Sequence, residues 1–110
     1  MSVRTACASN QVGPAIVGYI SGLALQMAGR GVRANVVSPG NTYFEGGFWH
    51  QAEQGMPDLF RSQLGLNPTG RMGTPQEMAR AVVFLSSPAS GFTTGAHLLV
   101  DGALSHGVQV

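Results

Sequence analysis

The sequence predicts an α/β layer fold, and an incomplete one. An apolar stripe of helical period runs directly into a short β-branched run, and the same pairing recurs later in the chain. Only two strands can be read in this way. They are too few to make a sheet with helices on both faces, so neighbouring strands are expected to be missing. The predicted order is helix, strand, lid, helix, strand.

Residues 1–13 show no clear period and read as an irregular N-terminal segment, leaving 14–110 as the predicted domain. From Pro14 to Arg30, the residues Ile16, Ile20, Leu23 and Met27 recur every three or four positions, which is one helical face. Pro14 suits a first helical turn, and Gly29 and Gly31 suit its end. A rival reading of this stretch is a secretion signal, with Arg4 ahead of an apolar run and small residues near Ala28. Ser21, Gln26 and the glycines interrupt that run, and the stripe favours an amphipathic helix. The run is also too short to span a bilayer.

Val32–Ser38 reads as a strand closed by the Pro39-Gly40 turn. Its apolar residues are nearly continuous, as in a strand buried on both faces of a parallel sheet. Without neighbours it would present an unpaired apolar edge and make the chain poorly soluble. The segment from Asn41 to Asn67 is rich in glycine and aromatic residues and reads as a lid, with a helix around Met56–Leu64. Thr74-Pro75-Gln76-Glu77 is a capping box with proline at the first helical position. Met78, Ala81, Val82 and Leu85 form the face that follows, and Pro88 ends the helix. Ala96–Val100 is the second strand, closed by Asp101-Gly102.

Hydrophobic residues make up 44% of the 110 and charged residues only 10%. Globular domains average about 25% charged, so much of this surface expects to be covered by other protein. A net charge of +1 gives no electrostatic case for nucleic acid or an anionic membrane. A single cysteine, Cys7, cannot close an internal disulfide and fits a reducing, cytoplasmic compartment. The only near match to a glycosylation site, at Asn67, is blocked by Pro68. All six basic residues are arginine; the chain has no lysine.

Three segments carry a resemblance. Gly31-Val32-Arg33-Ala34-Asn35-Val36-Val37-Ser38-Pro39-Gly40 resembles G-I-R-V-N-x-V-x-P-G of the short-chain dehydrogenases/reductases. Asn67-Pro68-Thr69-Gly70-Arg71-Met72-Gly73-Thr74-Pro75-Gln76-Glu77-Met78-Ala79 resembles that family's P-L-G-R-x-G-x-P-E-E-V-A. Val82 to Ser87 followed by Thr94 to Gly102 is similar to its closing V-x-F-L-x-S…T-G-x-x-L-x-V-D-G-G. Order and spacing agree over about residues 14–110. The resemblance implies the C-terminal part of a Rossmann-like parallel sheet and an NAD or NADP cofactor. It also implies hydride transfer between nicotinamide and an alcohol or ketone. It assigns Pro39, Gly40, Asn41 and Thr42 to the cofactor, with Thr42 offering its backbone to the carboxamide. Phe44 stands where the family often has a threonine touching the phosphates. Tyr43, Phe48 and Trp49 would belong to the lid over the substrate.

The family's catalytic tyrosine and lysine would fall at Ser9 and Gly13, so neither is present, and a chain without lysine cannot recover the pair in another register. Arginine is a poor replacement for an ammonium that lowers a phenol's pKa. No catalytic residue is therefore assigned. Gly29-Arg30-Gly31-Val32-Arg33-Ala34 matches G-x-G-x-x-G/A but closes a helix and opens a strand, the reverse of a phosphate-binding loop, so its glycines read as caps.

His50 and Glu53 have metal-ligand spacing without a third ligand, and no metal site is assigned. Tyr19 reads as packing, His97 as a core or subunit-contact residue, and Asp101 as a cap on the last strand or a subunit contact.

The favoured reading is a truncated, inactive relative of an oxidoreductase. A second reading is an interaction module that pairs with itself or with a full-length homologue through 74–87 and 96–101. A third is a reading-frame error upstream of Met1.

Overall fold

The computed structural model describes residues 2–7 and 13–105. It contains strand β1 (Ser2–Cys7), helix α1 (Gly13–Met27), strand β2 (Val32–Pro39), helices α2 (Phe48–Gly55), α3 (Pro57–Leu66) and α4 (Pro75–Ser86), and strand β3 (His97–Val100). Single 3-10 turns follow α1 at Ala28–Arg30 and α4 at Pro88–Ser90.

The sheet has three parallel strands in the order β1-β2-β3. This corrects two expectations. The segment 1–13 is not wholly irregular, because Ser2–Cys7 runs beside β2 from the Ser2–Val32 pair to the Cys7–Val37 pair. Nor does β2 expose an unpaired edge, since it is the central strand, bonded to β1 on one side and β3 on the other. Among the described residues the open edges belong to β1 and β3. For the same reason the four residues of β3 are half-buried, where the sequence led to a fully buried strand.

Alternate residues of β2 serve opposite faces, as the period of a strand requires. Ala34 and Val36 meet Ile20 and Ala24 of α1, with Ile16, Val17 and Leu23 around them. Arg33 points to the other face, where its guanidinium donates to the carbonyls of Leu85, Ser87 and Thr93 and to Ser90 Oγ at 2.9–3.1 Å. The sheet is thus held between α1 and the end of α4. Gly31 follows the turn after α1 with φ 75° and donates its N–H to Ala28. The left-handed conformation suits glycine, and the cap expected of this residue is present.

Helix α1 ends at Met27, short of the predicted Arg30, with the last three residues tightened into the 3-10 turn. Tyr19 departs from the expected packing role. It lies off the buried stripe and is 70% exposed. The lid forms two helices rather than one. Pro57 is the first residue of α3, and Met56 between them leaves helical geometry.

Candidate functional site

The carboxyl ends of β2 and β3 meet at one point, which is where ligands collect in parallel α/β sheets. Gly40 makes the meeting possible. Its N–H donates to the carbonyl of Val100 at 2.9 Å, and a β-carbon there would stand 2.7 Å from Asp101 Cβ and 2.8 Å from its Cα. No larger residue fits without pushing the two strand ends apart.

Asn41, Thr42 and Tyr43 then run beside Gly73 as a parallel bridge. The carbonyl of Asn41 accepts from Gly73 N–H, and Tyr43 N–H donates to the Gly73 carbonyl, each at 2.9 Å. Backbone groups alternate sides along an extended chain, so the N–H and carbonyl of Thr42 point away from Gly73. The Thr42 hydroxyl folds back to donate to the Gly40 carbonyl at 3.1 Å. All four residues assigned to the cofactor, Pro39, Gly40, Asn41 and Thr42, thus lie in one fixed turn with a single residue's backbone directed outward.

Two further contacts fix the turn from below. Asp101 accepts from the N–H groups of Ala103 and Ser105, the capping role expected of it. Asn67, at the end of the lid, donates to the Asp101 carbonyl at 3.0 Å and accepts from the N–H and hydroxyl of Thr69. Lid and strand end are therefore tied by one amide.

The capping box at Thr74 forms as its residues predict. Glu77 accepts from the Thr74 N–H at 2.9 Å and from both Arg71 guanidinium nitrogens at 2.8 and 2.9 Å. The paired guanidinium, followed by the Thr74 N–H, holds the Glu77 carboxyl down at about 2.

The three lid residues separate. Tyr43 sits at the base, packed against the rings of His50 and Phe60, and its hydroxyl donates to Glu53 at 2.7 Å. That hydrogen bond raises the phenol's pKa, with the Glu53 and Glu45 charges adding to it. Tyr43, Phe60, Leu64 and Met72 wall a cavity of about 400 Å³ whose rim carries Glu53 and Arg71. The rings of Phe48 and Trp49 meet edge to face with centroids 4.9 Å apart and take no part in that wall. His50 and Glu53 have different partners. His50 Nδ1 accepts from Gly46 N–H, whereas Glu53 accepts from Tyr43.

Two features were not legible in the sequence. Arg33 is 6% exposed, and its partners lie more than fifty residues away. His97 Nε2 and Ser38 Oγ lie 2.6 Å apart across β2 and β3. His97 is thus engaged within the sheet. Of the positions where the family's tyrosine and lysine would stand, Ser9 lies outside the described residues and Gly13 opens α1.

No helix among the described residues is long and apolar enough to cross a membrane. Comparison with known proteins identifies the scaffold. The sequence model of the family described as enoyl-(acyl carrier protein) reductase matches residues 10–105. A galactitol 2-dehydrogenase from Cereibacter sphaeroides is 45% identical over 80 residues, covering 73% of this chain and 30% of that protein. A short-chain dehydrogenase/reductase family oxidoreductase from Burkholderia thailandensis superposes with a TM-score of 0.82 at 31% identity, over 96% of this chain and 45% of that one. An NADPH-bound short chain oxidoreductase from Pseudomonas aeruginosa with an atypical catalytic center gives 0.79 at 29% identity, over 96% and 47%. The chain thus spans about a third to a half of the length of these relatives. Strand order, the Pro-Gly turn and these matches together place it: the chain belongs to the short-chain dehydrogenase/reductase family and covers only part of that family's Rossmann-like fold.

Proposed function

We propose that this chain is the C-terminal part of an NAD(P)-dependent short-chain oxidoreductase and does not catalyse hydride transfer by itself. One observation carries the reading: the chain contains no lysine, and neither position of the expected tyrosine–lysine pair holds its residue. A phenol needs a neighbouring cation to lose its proton near neutral pH, and the lysine that would supply it is absent from the sequence.

The residues fit one end of the cofactor only. The nicotinamide, when bound, supplies the hydride chemistry. The outward N–H and carbonyl of Thr42 are a donor and an acceptor of the kind a carboxamide requires, set beyond the strand ends on a turn that Gly40 keeps tight. Pro39, Gly40 and Asn41 would line the same contact. Tyr43, Phe48 and Trp49 would close over a substrate. Among the described residues nothing comparable receives the phosphates, because Gly29 and Gly31 end a helix instead of opening one. The choice between NAD and NADP lies with residues beyond this chain. The single cysteine, Cys7, suits a cytoplasmic location.

The test is direct. Purified chain is incubated with NAD or NADP and a panel of alcohols that includes galactitol, and absorbance of the reduced nicotinamide is followed. No turnover above the blank is expected, with NADPH binding too weak to saturate. Turnover that scales with the chain and survives removal of host dehydrogenases would overturn the reading.

A second reading, an interaction module, is favoured by the outer side of α4. Val83 is 65% exposed, Phe84 49%, and the nearby Phe92 fully so. Residues 74–87 and 96–101 would then pair with a second copy or with a full-length homologue. A defined dimer on size exclusion that Val83→Glu abolishes would support it.

A further inference from the structure

The lid and the segment leading into α4 enclose the cavity of about 400 Å³. Tyr43, Phe60, Leu64 and Met72 give it apolar walls, and residues 70–74 complete the lining. None of Pro39, Gly40, Asn41 and Thr42 reaches it. The Thr42–Gly73 bridge stands between: the cavity lies on the Gly73 side, whereas the free N–H and carbonyl of Thr42 point the other way. The cavity is therefore separate from the turn assigned to the cofactor. Its volume falls within the range of small-molecule sites, roughly 300–1,000 Å³.

Two charged side chains stand at the rim, and their partners decide its sign. Arg71 commits both terminal nitrogens to Glu77 at 2.8 and 2.9 Å and shares one with the Met72 carbonyl at 3.1 Å. That guanidinium is neutralised where it stands. Glu53 is not. It accepts one bond, from the neutral Tyr43 phenol at 2.7 Å, and among the described residues it has no ion-pair partner. A phenol can hold a carboxylate in place without cancelling its charge. The phenol's pKa is raised by that bond, then by partial desolvation and by the charges of Glu53 and Glu45, so the mouth of the cavity is negative. Two rings stand beside this charge, since Tyr43 packs against Phe60 with centroids 6.0 Å apart. The faces of aromatic rings attract cations that come within about 6 Å.

We propose that this cavity binds a small organic cation with an apolar body, an alkyl- or aralkylammonium. Glu53 receives the ammonium in a charge-assisted hydrogen bond, and the rings of Tyr43 and Phe60 flank it. Leu64 and Met72 receive the apolar body. An anion meets the opposite of what it needs, because the Glu53 charge repels it and Arg71 is already engaged. Nothing in this site depends on the nicotinamide, on turnover or on the missing part of the fold, so it stands apart from the function proposed above.

The test titrates the full chain with three probes of one shape and different charge: phenethylammonium, 2-phenylethanol and phenylacetate, followed by saturation-transfer NMR at low salt. The ammonium is expected to bind with a dissociation constant on the order of a millimolar. The alcohol should bind about tenfold more weakly, and the carboxylate should not compete. Glu53→Gln keeps an acceptor for the Tyr43 hydroxyl. It should weaken the ammonium about tenfold and leave the alcohol unchanged. Phe60→Ala should weaken both, by removing a wall they share. The preference for the ammonium should shrink as salt is added.

The proposal fails if the alcohol or the carboxylate binds as tightly as the ammonium, or if no probe binds below about 10 mM. It fails equally if Glu53→Gln leaves the ammonium's affinity unchanged or lowers all probes alike, the latter showing a merely structural carboxylate. Displacement of the ammonium by NADPH would merge the cavity with the cofactor turn and overturn the separate site. The comparison among probes uses the unaltered chain and so does not depend on the folding of any variant.

Discussion

Arg33 gathers on one guanidinium the backbone carbonyls of Leu85, Ser87 and Thr93, which end α4 and lead into β3. Helix carbonyls at a C-terminus lack internal partners and carry negative partial charge, so a cation there both pairs them and offsets the dipole. Arg33→Met keeps the length of the side chain but removes the charged donor that three carbonyls share, leaving Leu85 to Ser90 Oγ, Ser87 to the Ser90 N–H and hydroxyl, and Thr93 to Asn35 Nδ2. It is expected to lower stability by about 1.5–3 kcal/mol, read as the urea midpoint by circular dichroism. A loss below about 1 kcal/mol would show that the remaining donors, Ser90 and Asn35, suffice without the guanidinium.

Glu77 gives a residue-scale prediction in pH. Its carboxyl falls from the ordinary 4.5 to about 2 in the folded chain because Arg71, and then the Thr74 N–H, favour the charged form. A depressed carboxylate stabilises fully above its unfolded pKa, so the contribution is present above about 4.5 and is lost as pH falls toward 2. Urea midpoints of the parent chain should therefore drop across that window more steeply than those of Glu77→Gln. The effect should shrink in salt, because Arg71 is 59% exposed. Equal slopes for the two proteins would refute the pairing.

At this scale the sequence was legible where chemistry is local. The capping box joins residues three apart, and the Pro-Gly turn is written in two letters. The Thr42–Gly73 bridge and the Ser38–His97 contact join residues 31 and 59 apart, and no period or spacing announces such pairs.

Among the elements, α1, β2, α4 and β3 were legible because each buries a face, and burial imposes a period on the sequence. Strand β1 was not. Its sequence, SVRTAC, has no apolar run, and its place follows from backbone pairing with β2. Of the two lid helices, α3 was read at Met56–Leu64, whereas α2 escaped, since it buries only Ala52 and so needs no apolar stripe.

Helix α1 offers a prediction of its own. Glycine inside a helix costs about 0.5–1 kcal/mol relative to alanine, and neither Gly18 nor Gly22 has a neighbour that a methyl group would meet. Gly18→Ala and Gly22→Ala should each raise the stability of the isolated chain by about that amount, measured by urea unfolding. A loss at either position would show that this face of α1 is already covered in solution, by a contact that the isolated fold does not contain.

For the whole molecule, the sheet and the lid should behave as separate cooperative units. Strand β2 is paired on both edges and covered on both faces, and Asn35, Val36 and Val37 are almost wholly buried. Its amides can exchange with solvent only when the fold as a whole opens. The lid helices are bounded by Met56 and held to the rest by the Thr42–Gly73 bridge, the Tyr43 cluster and the Asn67 amide. Little apolar surface resists their opening, so their amides should exchange by local fluctuation. Hydrogen–deuterium exchange read by mass spectrometry should find residues 34–38 slower than 48–66 by about a hundredfold or more. Equal protection would mean that the lid packs against something beyond this chain's own sheet. Because α1 has its apolar flank in water, its protection should fall between the two, and it should rise toward that of β2 when the flank is covered.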